Sequence, residues 1–508
     1  MKPVGSAMTV SFSLLVAAGL DGSGLAQTIA AARAARSPGA RWELVLIGRD
    51  PVPEAPGWVR WVSSQEHSTA GLLGAGLEVS RGTWVGVLGP GDQPEVGAME
   101  ALEWWLAEKP GSDVVYTDEQ WQAADASGIF TKPAWNPEYE RGLDYLGRLC
   151  LMRRSLLVEA GGFQADAGPA VEWDTHLRVV ERTDAIDHIP VIGVTRAEPP
   201  AVDASTWDSG VGAVERHFAR CGQDVRCERG PFPGSVTTWR AVPEPPLVSI
   251  VVPTGGGRRA IRGTEQVLAE MCARSLVDRT SYAPWELVLV PSEGTDPAVV
   301  QAVREIVGDR LVVAPARGPF NFSASVNTGV AAATGELVLL LNDDVEAIEA
   351  TWLDRMVSVA QDPSIGVVGA RLVHENGLIQ HAGVVHNDEW VPVHLFQQRP
   401  DGETHFGMGL IDAEFSATTG ACLLISRELF TELGGLTEEL PLNYNDVDLC
   451  HKVAAASRRV VVTPLAHLHH YESSSRVPVL LPEETAHLRR YWSWRAWSDP
   501  WTNARSTR

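Results

Sequence analysis

The stretch GELVLLLNDDVEA, Gly335 to Ala347, carries five apolar residues, Leu337 to Leu341, straight into Asn342-Asp343-Asp344. A short continuous apolar run of this kind reads as a buried strand. In open α/β sheets ligands sit outside the carboxyl ends of the strands, which is where these two aspartates fall. Adjacent carboxylates at a strand tip repel, so one takes up a proton unless a cation lies between them. The same residues also admit a local reading, in which Asn-Asp-Asp opens a turn and caps a helix starting near Ile348, with Glu346 in its first turn.

Around this stretch the chain repeats itself. WELVLI at Trp42–Ile47 recurs as WELVLV at Trp285–Val290, and each copy leads through a strand-like segment and a small-residue helix to an apolar strand, WVGVL or LVLLL, with a polar tip. RRSLLVEAGGF (Arg153–Phe163) is matched by SRELFTELGGL (Ser426–Leu436), and VEWDTHLRV (Val171–Val179) by NDVDLCHKV (Asn445–Val453). Strands alternating with helices of about ten residues imply an α/β fold with mostly parallel sheets covered on both faces. Two such units are expected, residues 1–240 and 241–476, followed by a tail over 477–508. The Pro-rich Val242–Pro246 reads as the linker, Leu247–Val252 as the first strand of the second copy, and Thr206–Trp239 as a helix and short hairpin added to the first.

Composition agrees with a globular chain of two or three domains: 508 residues, 44% hydrophobic and 21% charged. The net charge of −22 argues against a nucleic-acid binder that works by neutralising phosphates. No run approaches the roughly 18 apolar residues of a membrane span, and Val10–Ala18 reads as a first strand, not a signal peptide. Cysteines 150, 221, 227, 272, 422 and 450 are scattered without a CxxC pair, which suits free thiols in a reducing cytoplasm.

The order VSIVVPT, WELVLV, GPFNFSASVNTGVAAATGELVLLLNDDVE, TTGACLLISRELFTELGGL, NDVDLCHKV, HLHHYESSSR closely resembles glycosyltransferase family 2, in particular bacterial polysaccharide enzymes of the rhamnosyltransferase type. The resemblance covers Leu247 to Arg476, and in weaker form Trp42 to Ile192. It implies two tandem GT-A-like domains, a nucleotide-diphosphate sugar as donor, a glycan or lipid-linked acceptor, and inversion at the anomeric centre. It further implies that Asp344, together with Asp343, ligates a divalent cation, Mn²⁺ or Mg²⁺, and that Asp343 also lies beside the sugar nucleotide, with Asn342 replacing the family's first Asp. A hard cation between carboxylate and phosphate oxygens would neutralise the charge building on the departing pyrophosphate.

In NYNDVDLC the resemblance makes Asp446 the general base on the acceptor hydroxyl, with Asn445 in place of the family's Glu. A helix start at the same residues, with Asp446 and Asp448 in the first turn, is compatible with that role. Pro253 and Thr254 match the family's loop beneath the base; the GGGRR that follows departs from it and reads as a tight turn. Glu293, in Pro291-Ser292-Glu293-Gly294, is the substitute for an Asp that contacts the base, and Asn327 stands near the nucleotide. His381, in IQHAGVV, is either a structural hydrogen-bonder or an acceptor contact. His470, ahead of Ser473 to Ser475, is a candidate for the pyrophosphate or the metal, or part of an exposed loop.

The tail RRYWSWRAWSDPW, with Arg489, Arg490, Arg495 and Trp492, Trp494, Trp497 and Trp501, fits either packing on the catalytic domain or peripheral contact with the inner face of the membrane. A sugar-phosphate nucleotidyltransferase would want a Gly-rich basic signature after the first strand, which GGGRR matches poorly. Asn342 and Pro291 are the features that favour a non-catalytic glycan-binding scaffold. In the first copy, aligning Gly82 with Gly335 puts Gly91 opposite Asp344, Asp92 one residue late, and Glu172 opposite Asp446. That copy is therefore expected to be catalytically silent.

Overall fold

The Ser-Glu-Gly constellation explains why two short sequences repeat. In the first copy Ser13 Oγ donates to Glu43 (2.9 Å) and accepts from Gly82 N (2.8 Å), while Glu43 also accepts from Arg81 N (2.8 Å). In the second, Ser249 Oγ donates to Glu286 (2.6 Å) and accepts from Gly335 N (2.8 Å), while Glu286 accepts from Thr334 N (2.8 Å). The glycine is required by close approach: a Cβ on Gly82 would lie 2.4 Å from Ser13 N, and one on Gly335 2.5 Å from Leu247 O. The Glu of WELV thus satisfies buried polar groups where three strands begin.

The computed structural model describes residues 12–18, 23–49, 56–122, 127–199, 202–387, 389, 391–402, 404–471, 481–496, 499 and 501. The chain divides into two compact units, Met1–Thr238 with Asn503–Arg508, and Trp239–Thr502. The division falls just before Val242–Pro246. Arg240 belongs to unit 2, its N–H on Ser358 Oγ (2.9 Å) and its guanidinium on Asp362 (3.1 Å).

Unit 1 is built on strands β1 (Phe12–Ala17), β2 (Trp42–Gly48), β3 (Val59–Ser63), β4 (Trp84–Leu88), β5 (Gln93–Pro94), β6 (Val114–Gln122), β7 (Leu151–Arg153) and β8 (Ile186–Arg196), in the order β3-β2-β1-β4-β7-β6-β8-β5. Its helices α1 (Pro137–Gly142) and α2 (Val171–Val180) recur below. Of the expected Val10–Ala18 strand, residues 10 and 11 lie outside the described residues.

Unit 2 repeats the plan with β9 (Val248–Thr254), β10 (Arg258–Ile261), β11 (Thr264–Val267), β12 (Trp285–Pro291), β13 (Leu311–Val313), α3 (Phe322–Ala332), β14 (Leu337–Leu341), β15 (Val345–Ala347), α4 (Trp352–Ala360), β16 (Ile365–Val373), β17 (Cys422–Ser426), α5 (Asn445–Ala455), β18 (Arg459–His470) and α6 (Pro482–Ala496). The sheet order is β13-β12-β9-β14-β17-β16-β18-β15. These are tandem GT-A-like α/β domains, and in unit 2 the longest ladders, β9 with β12 and β16 with β18, are parallel. Val251, Leu287, Val288, Leu339 and Leu340 are almost completely buried, as a strand covered on both faces requires.

Two local readings change. Asn342-Asp343-Asp344 does not cap a helix at Ile348: it turns β14 into β15, and α4 begins only at Trp352. The segment after Gly257 is not a mere tight turn but an antiparallel hairpin, β10–β11, closed by Arg262 (φ 49°) and Gly263 (φ 80°). Left-handed angles at both loop residues match the right-handed twist of a two-residue hairpin. The tail helix α6 packs on unit 2: Glu484 accepts from Leu442 N and Asn443 N (both 2.8 Å), Leu488 is buried, and Trp492 Nε1 donates to Asp448 (2.7 Å). The side chains of Trp494 and Arg495, Trp497, and Ser473 to Ser475 lie outside the described residues. Among the described residues no helix is long and apolar enough to cross a membrane.

Candidate active site

Strand pairing assembles the acidic tip. Val345, the first residue of β15, lies opposite His470 at the end of β18, which brings the imidazole beside the carboxylate just before Val345. His470 Nε2 lies 3.1 Å from Asp344 Oδ1, and its Nδ1 faces Gln380 Oε1 at 2.8 Å. An amide oxygen only accepts, so Nδ1 carries the proton and the Nε2 lone pair faces Asn342 Nδ2 (3.3 Å) and, unless a cation or second proton intervenes, Asp344. The buried Asn342 Oδ1 has no hydrogen-bond partner. Asp343 accepts from Thr254 Oγ1 (2.6 Å). Burial first, and then the neighbouring Asp344, push the Asp343 carboxyl up to about 7, against the pull of Thr254 and His470.

Asp446 lies half-exposed in the first turn of α5. Its Oδ2 accepts from Gly420 N (2.8 Å), in the Thr418–Cys422 turn that enters β17, and that turn is in contact with the strand tip because Asn342 N donates to Ala421 O (3.1 Å). His381 is fully buried; its Nε2 meets Thr418 Oγ1 (2.9 Å) and its Nδ1 meets His394 Nδ1 (2.9 Å). Burial, then His394 and His470, hold its pKa well below the ordinary histidine range. Neutral and with both nitrogens engaged, His381 fixes the turn on which Asp446 rests.

Other expected contacts sit further out. Pro253 and Thr254 are buried at the end of β9, which runs through both residues instead of stopping at Val252. Glu293 is exposed and accepts from Gly318 N (3.2 Å). Asn327 uses its amide on the Gly435–Glu438 turn, donating to Leu436 O (2.9 Å) and accepting from Leu436 N (2.9 Å), and not on the acidic cluster. Gln380 and Tyr471 were not singled out in the sequence. Tyr471 N donates to Asp344 O (3.0 Å), and the Tyr471 hydroxyl bonds Glu346 (2.5 Å) while Arg262 reaches that hydroxyl (2.8 Å).

Unit 1 keeps the framework and fills the centre. Gln93, the first residue of β5, lies opposite Thr195, so Asp92 stands directly before its strand just as Asp344 does. This corrects the alignment that put Gly91 in the ligand's place. The tip of unit 1 is one residue longer, and Gly91 (φ 90°) absorbs the extra residue in a left-handed conformation that costs glycine nothing. Thr195 holds the place of His470. Counting back five residues from the partners Arg153 and Ser426 puts Arg148 where unit 2 has Ala421. The Arg148 guanidinium lies 3.3 Å from Asp92 and is also paired with Glu172. A protein cation thus spans the two carboxylates that correspond to Asp344 and Asp446.

Residues 245–493 match the family model "Glycosyltransferase like family 2". Unit 2 belongs to glycosyltransferase family 2. The chain is 35% identical over 430 residues to the uncharacterized protein y4gI of Sinorhizobium fredii, covering 82% of this chain and 46% of that one. It is 33% identical over 449 residues to the O-antigen biosynthesis protein RfbC of Myxococcus xanthus, covering 86% and 34%. The chain thus spans less than half the length of each. Among solved structures, the mannosyltransferase PcManGT from Pyrobaculum calidifontis in complex with GDP-Man and Mn²⁺ is similar at 20% identity (50% of this chain, 64% of that one, TM-score 0.34). S. aureus TarS 1-349 in complex with UDP is similar at 12% identity (41% and 72%, TM-score 0.32).

Proposed function

We propose that unit 2 is an inverting, metal-dependent glycosyltransferase of polysaccharide biosynthesis, moving a sugar from a nucleotide-diphosphate donor to a glycan or lipid-linked acceptor in the cytoplasm. The observation that carries this reading is the Asp344–His470 pair, 3.1 Å apart at a strand end with the imidazole turned by Gln380. A carboxylate, an imidazole held in one tautomer by an outer partner, and the unpartnered Asn342 Oδ1 suit a divalent cation. When bound there, such a cation supplies charge neutralisation for the departing diphosphate. Asp343, steered by Thr254, faces the donor, with Pro253 and Glu293 towards its base. Asp446 removes the proton from the attacking hydroxyl, held for that task by Gly420 N–H and the His381-braced turn.

The test is thermal unfolding with a panel of nucleotide sugars, with and without Mn²⁺ or Mg²⁺. One donor is expected to raise the midpoint only with the cation, the stabilisation amounting to about 2.7 kcal/mol at a hundredfold excess over its Kd. If no nucleotide sugar stabilises the chain in a cation-dependent way, the reading fails.

Unit 1, on this proposal, does no chemistry, because Arg148 occupies the space between Asp92 and Glu172. Asp92→Asn and Glu172→Gln, each near-isosteric, are expected to leave the transfer rate within about twofold of the parent, since each keeps the size and shape of the side chain it replaces. Loss of transfer in either variant with an unchanged melting curve would mean that unit 1 is the live domain.

A further inference from the structure

Away from both strand tips, unit 1 encloses a second set of metal-ligating side chains that the proposed transfer does not use. Glu140, Asp144 and His176 each direct a ligand atom to within 4.8 Å of the others, and Glu140 and His176 are buried while Asp144 reaches the surface. The local sequence explains how they meet. Glu140 lies on α1, a short helix started by Asn136, whose side chain accepts from Tyr139 N. Asp144 follows in the turn leaving that helix, and His176 projects from α2. The two helices are tied together by Trp173 Nε1 donating to Glu140 O (2.9 Å).

Glu140 is the anomaly. Its side chain is fully buried, its Oε2 accepts from Tyr145 N and Leu146 N (both 3.2 Å), and its Oε1 has no partner. The nearby Tyr116 and Tyr145 hydroxyls donate elsewhere, to Pro133 O (2.7 Å) and Ala134 O (3.2 Å). Neither protonation state is therefore satisfied. An ionised Glu140 is a buried carboxylate whose Oε1 receives no hydrogen bond. A neutral one must carry its proton on Oε1, because Oε2 already receives two N–H groups, and that O–H then has no acceptor. Each alternative costs on the order of a few kcal/mol.

We infer that Glu140, Asp144 and His176 form a structural binding site for a first-row divalent cation with nitrogen and oxygen ligands, of the zinc type, in unit 1. Two carboxylates and one imidazole are a donor set that such cations take. His176 Nδ1 and Asp144 Oδ1 are hydrogen-bonded at 3.0 Å, a contact that a cation would replace, and their spacing is close to the edge of about 3.3 Å expected for a tetrahedron with bonds of about 2.0–2.1 Å. Asp144, with 29% of its side chain exposed, gives the cation an entry path. The other described cluster, Glu181, His217 and Cys221, differs because Arg220 already neutralises Glu181 at 2.7 Å. A cation here would pin the turn from Leu143 to Leu149 between α1 and α2, and with it Arg148, the residue that spans Asp92 and Glu172.

The test is calorimetric titration of the full chain with Zn²⁺ alone, in the parent and in Glu140→Gln, and again with both in an Asp344→Ala background. Glu140→Gln is expected to reduce the number of bound Zn²⁺ ions by one, or to weaken that site by roughly tenfold or more, in both backgrounds. The result is thus independent of any cation in unit 2. Zinc binding that Glu140→Gln leaves unchanged overturns the inference. If Glu140→Gln does not fold, anomalous scattering at the zinc edge from Zn²⁺-soaked crystals of the parent decides. A peak bonded to the three side chains supports the site, and no peak there overturns it.

Discussion

Asp446→Asn is expected to keep cation-dependent donor binding while transfer falls by roughly 10²–10⁴-fold, the usual scale for removing a general base. The substitution preserves shape and the hydrogen bond from Gly420 N (2.8 Å), because an amide oxygen also accepts. What it removes is the ability to take a proton. Asp446 sits in the first turn of α5, so the helix start fixes its position. Its neighbours are committed to other work: Asp448 holds Lys452, Thr437 and Trp492, and Asn445 is buried against Leu440 O. Among the described residues, neither of these neighbours is free to take over. The discriminating measurement is a pair of assays on one preparation, donor-induced thermal shift and single-turnover transfer. Unchanged transfer would remove Asp446 from its role. Loss of both signals together would mean that it holds the fold or the donor instead.

Much of this was legible in the sequence because it rests on local pattern. The WELVL repeats, the apolar run into Asn342-Asp343-Asp344 and the paired glycines (Gly161-Gly162, Gly434-Gly435) mark the same elements in both units. They led to tandem sheets of identical order. What escaped depends on pairing across the sheet. An extra residue in the Gly89–Asp92 turn is invisible until β5 is set against β8, since a one-residue shift changes which side chain stands beside the partner strand. Gln380 fixes His470 from 90 residues away, and no spacing announces that. The β10–β11 hairpin was missed because Arg-Gly is not among the pairs that usually signal a two-residue turn. Asn327 was placed near the nucleotide, but its amide braces the Gly435–Glu438 turn, a use that becomes visible only once α3 and that turn are adjacent.

Asp344→Ala is expected to abolish Mn²⁺- or Mg²⁺-dependent donor binding altogether while leaving the metal-free chain folded. The two halves of that expectation have the same physical source. Without a cation, burial first and then repulsion from Asp344 push the Asp343 carboxyl up to about 7. Removing Asp344 relieves that repulsion, and what the backbone needs at this position, Tyr471 N donating to the residue 344 carbonyl (3.0 Å), does not involve the side chain. The metal-free melting temperature should therefore hold or rise, which separates loss of a ligand from loss of the fold. With a cation the balance reverses, because Asp344 supplies the negative charge facing His470 Nε2. A neighbouring variant grades the effect. Gln380→Ala frees the imidazole that Gln380 holds at 2.8 Å, and should weaken cation-dependent donor binding by roughly 10–100-fold without abolishing it, as loss of an outer partner typically does. If Asp344→Ala still binds donor only when Mn²⁺ or Mg²⁺ is present, the cation sits elsewhere and the strand tip has been misread. If Gln380→Ala has no effect while Asp344→Ala is inert, the carboxylate holds the metal and His470 does not.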